Sequence, residues 1–133
     1  MPMPAYMLDT DSVSFALRGQ GRVAARLLER RPSEICVSSL TLAELRYGAD
    51  LRRSRKLHRL IDVFVDSVAV AAFDHVAADR FGGLGALLSR RGVPIGTLDT
   101  LIAAHALALD LTLVTNNERH FSRVPGLTIE TWV

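Results

Sequence analysis

Ala5-Tyr6-Met7-Leu8-Asp9 is a short apolar run that stops on a carboxylate, and its reading decides the fold. Four consecutive apolar side chains closed by a polar residue fit a strand buried on both faces. The pattern returns at Ile35-Cys36-Val37, weakly at Val68-Ala69-Val70, and strongly at Leu111-Thr112-Leu113-Val114. Leu127-Thr128-Ile129-Glu130-Thr131-Trp132 predicts a last strand. Helical patterns fill the intervals. Ser12 to Leu17 predicts a short helix closed by Gly19 and Gly21. Arg22 to Arg30 predicts a second, stopped by Pro32, with Val23, Leu27 and Leu28 on its apolar face. Ser38 or Ser39 caps a third through Tyr47, ended by Gly48.

A fourth helix, about Ser54 to Asp66, places Leu57, Leu60, Ile61 and Phe64 on one side and opens with Arg52, Arg53, Arg55, Lys56 and Arg59. Asp74 caps a long helix to Arg91-Gly92. Thr97 or Asp99 opens another to about Leu109, and a turn or short helix runs through Phe121. Apolar strands alternating with helices predict a mainly parallel sheet covered on both faces, an α/β fold in three layers. At 133 residues the chain fits one domain, residues 1–133. In such sheets ligands bind beyond the carboxyl ends of the strands.

Composition narrows the function. The chain is 49% hydrophobic and 23% charged, which excludes a disordered chain. Its single cysteine, Cys36, excludes an intramolecular disulfide framework and a cysteine-based zinc site. No run approaches the roughly 20 apolar residues that span a bilayer, and no basic-then-apolar leader opens the chain, so a soluble, cytoplasmic protein is expected. Of the 16 basic residues all but Lys56 are arginine, whose planar fork suits phosphate.

Three carboxylates stand at element edges: Asp9, Glu44 in Leu40-Thr41-Leu42-Ala43-Glu44-Leu45, and Asp99 in Gly96-Thr97-Leu98-Asp99-Thr100. Hard cations such as magnesium take oxygen ligands and keep several waters, so two or three convergent carboxylates suffice. Asp9 can serve as a helix cap, but Asp11 lies nearer the predicted helix and is the better cap, which leaves Asp9 available. Glu44 falls beside Leu40, Ala43 and Tyr47, a stripe where a carboxylate needs a metal, a proton or a partner such as Arg46. Asp99 is favoured in a first helical turn by the dipole alone, and Pro94-Ile95-Gly96 before it makes a tight approach. Asn116 and Asn117, after the Leu111–Val114 run, suit a turn or offer neutral oxygen ligands. His120 has no second histidine at ligand spacing, which favours a structural or phosphate-contacting role.

Met7-Leu8-Asp9-Thr10-Asp11, the run Ser38 to Gly48, Asp99-Thr100-Leu101-Ile102-Ala103-Ala104-His105-Ala106 and Val114 to Phe121 together resemble the PIN-domain ribonuclease toxins of VapBC toxin–antitoxin modules. Val124-Pro125-Gly126-Leu127 is similar to the family's tail, so the likeness runs nearly end to end. It implies a PIN-like α/β/α sandwich and a magnesium-dependent endoribonuclease, with manganese as a substitute. Asp9, Glu44 and Asp99 would form the acidic, metal-binding core. Asn117 would stand at the position where many PIN domains carry a fourth acid. The resemblance further implies a structured RNA substrate such as tRNA, cut to leave a 5′-phosphate and a 3′-hydroxyl. It implies a homodimer, and a cognate VapB-type antitoxin whose arginine enters the carboxylate pocket. A catalytically silent PIN module is the non-enzymatic alternative. Leu8-Asp9-Thr10-Asp11 also looks like the nucleophile loop of haloacid-dehalogenase-type phosphatases, which need a lysine and a late acidic pair as well.

Overall fold

The computed structural model describes residues 4–132. Five strands form one sheet: β1 (Tyr6–Leu8), β2 (Ile35–Ser38), β3 (Ala69–Ala71), β4 (Thr112–Val114) and β5 (Ile129–Glu130). Their order is β3-β2-β1-β4-β5, and every pairing is parallel. Seven helices connect and cover them: α1 (Thr10–Leu17), α2 (Val23–Leu28), α3 (Ser39–Leu51), α4 (Arg55–Ser67), α5 (His75–Arg90), α6 (Thr97–Ala108) and α7 (Glu118–Phe121).

Alternation along the strands splits the core in two. Leu8, Ile35, Val37 and Val114 face one side, where α1 to α4 supply Val13, Val23, Leu45, Ala49 and Ile61. Met7, Cys36 and Leu113 face the other, against Leu84 and Leu88 of α5, Ile102, Ala103 and Ala106 of α6, and Phe121 of α7. Strands buried on both faces must be apolar throughout, which is why Tyr6–Leu8 and Ile35–Val37 carry no polar alternation. Burial pushes the Cys36 thiol up to about 11, so it packs as a small apolar group.

From β1 the chain adds β2 and β3 on one side, then crosses to place β4 and β5 on the other. The order reverses between β1 and β4, and a crevice opens at their carboxyl ends. Asp9 sits at that point. Its amide donates to the Val114 carbonyl at 3.0 Å, so it is fixed to both strands.

Several boundaries differ from the sequence expectations. Helix α1 begins at Thr10 rather than Ser12, because Asp9 and not Asp11 is its cap: Asp9 Oδ1 accepts from the Ser12 amide at 2.9 Å. Helix α3 passes through Gly48 and ends three residues later. Buried Ala49 repays the continuation, and the stop falls at Arg53, whose φ of 51° is left-handed. Leu28 is 88% exposed rather than on a buried face, since α2 ends there. On α4, Ile61 is buried but Leu60 is exposed.

The last strand is only Ile129–Glu130, because Trp132 turns inward instead of extending it. The Arg30 guanidinium lies 4.7 Å from the centroids of both Tyr6 and Trp132, and Glu130 is 3.7 Å from it. A half-desolvated cation on two rings contributes about 1–2 kcal/mol. Arg30→Ala should therefore lower unfolding stability by about that amount, with Arg30→Lys recovering only part, because an ammonium cannot lie flat on both rings. Urea denaturation midpoints give the measure, and an unshifted midpoint for Arg30→Ala would show that the rings hold the segment unaided.

Candidate active site

Each carboxylate reaches the crevice on a different element. Asp9 follows β1 and is only 7% exposed. Burial, first of all, raises its pKa above the ordinary 3.8; hydrogen bonds from Thr115 and Ser12 oppose the rise, and Asp11 adds repulsion. Because Oδ1 is committed to the Ser12 amide, Asp9 is both cap and candidate ligand. The expectation that Asp11 would free it is corrected: a residue next to the strand end precedes the first free amides of α1, and Asp11 lies inside the helix.

Glu44 stands in the second turn of α3, whose start is set by Ser38 Oγ accepting from the Leu40 amide at 3.1 Å. The stripe expected beside it is not buried, for Ala43 is exposed and Tyr47 is 70% exposed. Its environment comes from α1 instead: Thr10 Oγ1 donates to Glu44 Oε1 and also lies 3.3 Å from Thr41 Oγ1. Burial raises the Glu44 pKa, the Thr10 bond opposes this, and Asp99, Asp11 and Asp9 raise it further. Arg46 does not pair with Glu44. It bonds to Asp62 and His58 across α3 and α4.

Asp99 lies in the first turn of α6 behind Gly96, whose φ of 94° a side chain would strain. The Thr100 hydroxyl donates to the Gly96 carbonyl at 2.6 Å and tightens that turn. Asp99 Oδ2 is 3.2 Å from His120 Nδ1, which is also 2.8 Å from Asn117 Nδ2. One ring nitrogen carries one hydrogen or one lone pair, so it cannot serve both in that orientation. A ring N–H given to Asp99 requires the Asn117 amide turned with its oxygen toward the ring. Asn117 therefore reaches Asp99 through His120. Asn116 buries both polar atoms of its amide without a partner among the described residues.

No lysine or arginine pairs with Asp9, Glu44 or Asp99 among the described residues. Nor do any three His, Cys, Asp or Glu side chains there gather tightly enough to enclose an ion alone. Hard oxygen donors, uncompensated charge and room for waters fit a magnesium-like ion, which keeps much of its hydration.

A model of the PIN domain matches residues 6–127 of the chain. The tRNA(fMet)-specific endonuclease VapC of Salmonella typhimurium is 38% identical over 132 residues, 98% of this chain and 99% of that protein. The chain belongs to the VapC ribonucleases of the PIN-domain family. Ribonuclease VapC2 of Rickettsia felis is 35% identical over 130 residues, 96% of this chain and 97% of that one. The crystal structure of DNA-bound VapBC from Salmonella typhimurium superposes with a TM-score of 0.87 at 38% identity, covering 98% of this chain and 100% of that chain. This membership displaces the phosphatase alternative.

Within this VapC fold, sequence reading passed over three positions. Thr10 bonds Glu44, Thr115 opposes the rise in the Asp9 pKa, and His105 ties α6 to Ser38 at the cap of α3. The His105 ring is 1% exposed, its Nδ1 is 2.8 Å from Ser38 Oγ, and Phe73 meets it edge-on at 5.2 Å. Burial lowers its pKa, so it stays neutral. Its position in an apolar helix signalled burial, but nothing local named Ser38 as its partner.

Asp9→Asn keeps an acceptor for the Ser12 amide and should fold, whereas Asp9→Ala should lose about 1 kcal/mol with the cap. Both should lower RNA cleavage by about 100-fold or more, since even outer-shell groups at metal sites cost 10–100-fold. Thermal unfolding and single-turnover cleavage together test this, and an Asp9→Asn protein of normal activity would misplace the site.

The raised pKa values of Asp9 and Glu44 set a pH dependence. Their destabilising effect is absent below the unfolded values of 3.8 and 4.5 and grows as pH rises through the folded ones. A divalent ion relieves it only while the groups are ionised. The rise in Tm on adding magnesium should be largest near about pH 7 and shrink toward about pH 4. A pH-independent increment would place the ion elsewhere.

Proposed function

We propose that this VapC protein is the toxin of a type II toxin–antitoxin pair, a magnesium-dependent endoribonuclease acting on structured RNA such as tRNA. The observation that carries the proposal is the set Asp9, Glu44 and Asp99, near enough that the first and last raise the Glu44 pKa, with no lysine or arginine paired to them among the described residues. Asp9 and Asp99 would hold the ion, with Glu44 completing its shell or accepting a proton. A bound ion would supply Lewis-acid polarisation of the scissile phosphate and activation of water at neutral pH. The side chains then have separable tasks. Thr10 fixes the Glu44 carboxylate, Ser12 and Thr115 fix Asp9, and His120 with Asn117 fixes the orientation of Asp99. The Salmonella relative's name specifies tRNA(fMet), which supports tRNA as the first substrate to try.

An antitoxin partner and a homodimer are supported by apolar side chains left on α3 and α4. Tyr47, Leu51 and Val63 are each 70% exposed or more. Solved relatives from Rickettsia felis and Salmonella typhimurium are VapBC complexes on DNA. No helix among the described residues is long and apolar enough to cross a membrane.

The test is incubation with bulk tRNA and magnesium, with and without chelator, beside a generic phosphomonoester. Cleavage should require the ion, return with magnesium or manganese, and leave the phosphomonoester intact. Adding the product of an adjacent small reading frame should block cutting, and light scattering should give twice the chain mass. A protein that binds this partner yet never cuts RNA would be a silent module.

A further inference from the structure

Two clefts join into a groove that runs outward from Glu44; Asp9 and Asp99, which repel Glu44 from nearby, do not line it. The inner one, about 280 Å³, includes Thr10, Asp11 and Glu44 in its lining. The outer one, about 520 Å³, extends to Lys56 and Leu60. Both are walled by Leu17, Arg18, Arg52 and Leu57, so they are continuous. The groove is therefore acidic at the inner end and basic along its length.

Of the cations on its wall, Arg18 is held by its own helix, while Arg52 and Lys56 are exposed. Arg18 Nε donates to the Ser14 carbonyl at 3.3 Å and its guanidinium lies 5.6 Å from the Phe15 ring centroid. That use of Nε leaves the two Nη groups as the fork available to a ligand. Arg52 caps the C-terminal end of α3, where the helix dipole favours a cation. Lys56 stands in the first turn of α4. None of the three makes a salt bridge among the described residues, in contrast to Arg30 and Arg46. Between them the floor is aliphatic, made by Leu17, Leu45 and Leu57.

We infer that this groove binds a single-stranded RNA segment next to the cut, with Arg18, Arg52 and Lys56 on its phosphates. The inference rests on the ribonuclease reading and adds the residues that seat the strand. Phosphate contacts set register without reading sequence. An apolar floor between cationic walls accepts an unstacked base, which a duplex keeps inside its own stack. Selection of unpaired RNA thus follows from the groove, and chemistry from its inner end.

Fluorescence anisotropy with a labelled single strand of about 12 nucleotides, and with its duplex, tests this on full-length protein in chelator. The single strand should bind more tightly than the duplex. Arg18→Gln, Arg52→Gln and Lys56→Gln should each weaken it by about 3–10-fold and reduce the slope of log affinity against log salt by about 0.7. Arg52→Lys should keep that slope, and Arg90→Gln, on α5 and outside both clefts, should change neither quantity. In cleavage assays KM should rise while kcat stays near wild type. Wild-type affinity and salt slope in the Arg18→Gln/Arg52→Gln protein, with melting temperature unchanged, would overturn the inference. So would loss of binding to an acidic peptide alone, which would assign the groove to a protein segment. Groove-dependent RNA binding without any cleavage would instead sink the ribonuclease reading and leave the groove standing.

Discussion

The site depends on the register of β1 between two parallel neighbours. Leu8 lies level with Val37 on one side and Val114 on the other, so β1 and β4 end together and β2 runs one residue further. The next residue in each case is at the crevice: Asp9, Ser38 and Thr115. A slip of one residue would turn Asp9 into a core layer, where a bare carboxylate costs several kcal/mol. The apolar pattern that locks the register is thus also what aims the acid. Ser38 then caps α3 and touches His105, so the helices bearing Glu44 and Asp99 are anchored at one place.

The acidic cluster works against the stability of the fold that carries it. Burial and mutual repulsion raise Asp9 and Glu44, and no basic side chain among the described residues offsets them. What the protein supplies instead is hydroxyl and amide donors, from Thr10, Ser12 and Thr115. These orient a carboxylate without neutralising it, which leaves its charge for a cation. Positive charge is kept a few residues away, along α1, α3 and α4, where it can act on a polyanion. Acidic and basic groups that would cancel if mixed are separated by the helix geometry.

Much of the fold was legible because buried parallel strands are uninterrupted apolar runs. Tyr6–Leu8 and Ile35–Val37 needed only that pattern. Helix starts at Ser54 and Asp74 were legible too, since a capping side chain acts within three residues. The errors share a cause. Gly48 looked like a helix end, but Ala49 beyond it gains full burial from distant elements, and tertiary packing outweighs a propensity of about 1 kcal/mol. Leu28 and Leu60 fit an apolar face by spacing and are exposed, because no neighbouring element covers them. Trp132 fitted an extended strand and instead meets Arg30 and Tyr6, partners far away in sequence.

By itself the sequence determined the α/β architecture and the family, since these rest on local periodicity and on ordered motifs, and it proposed the three acids. Tertiary structure alone decided what each acid touches. It replaced Arg46 by Thr10 as the partner of Glu44 and brought His120 to Asp99. It also joined Arg18, from α1, to Arg52 and Lys56 at the α3–α4 junction on one groove wall. Hydrogen bonds and fields act over a few ångströms of space, and residues 34 or 21 positions apart become neighbours only when the chain has closed.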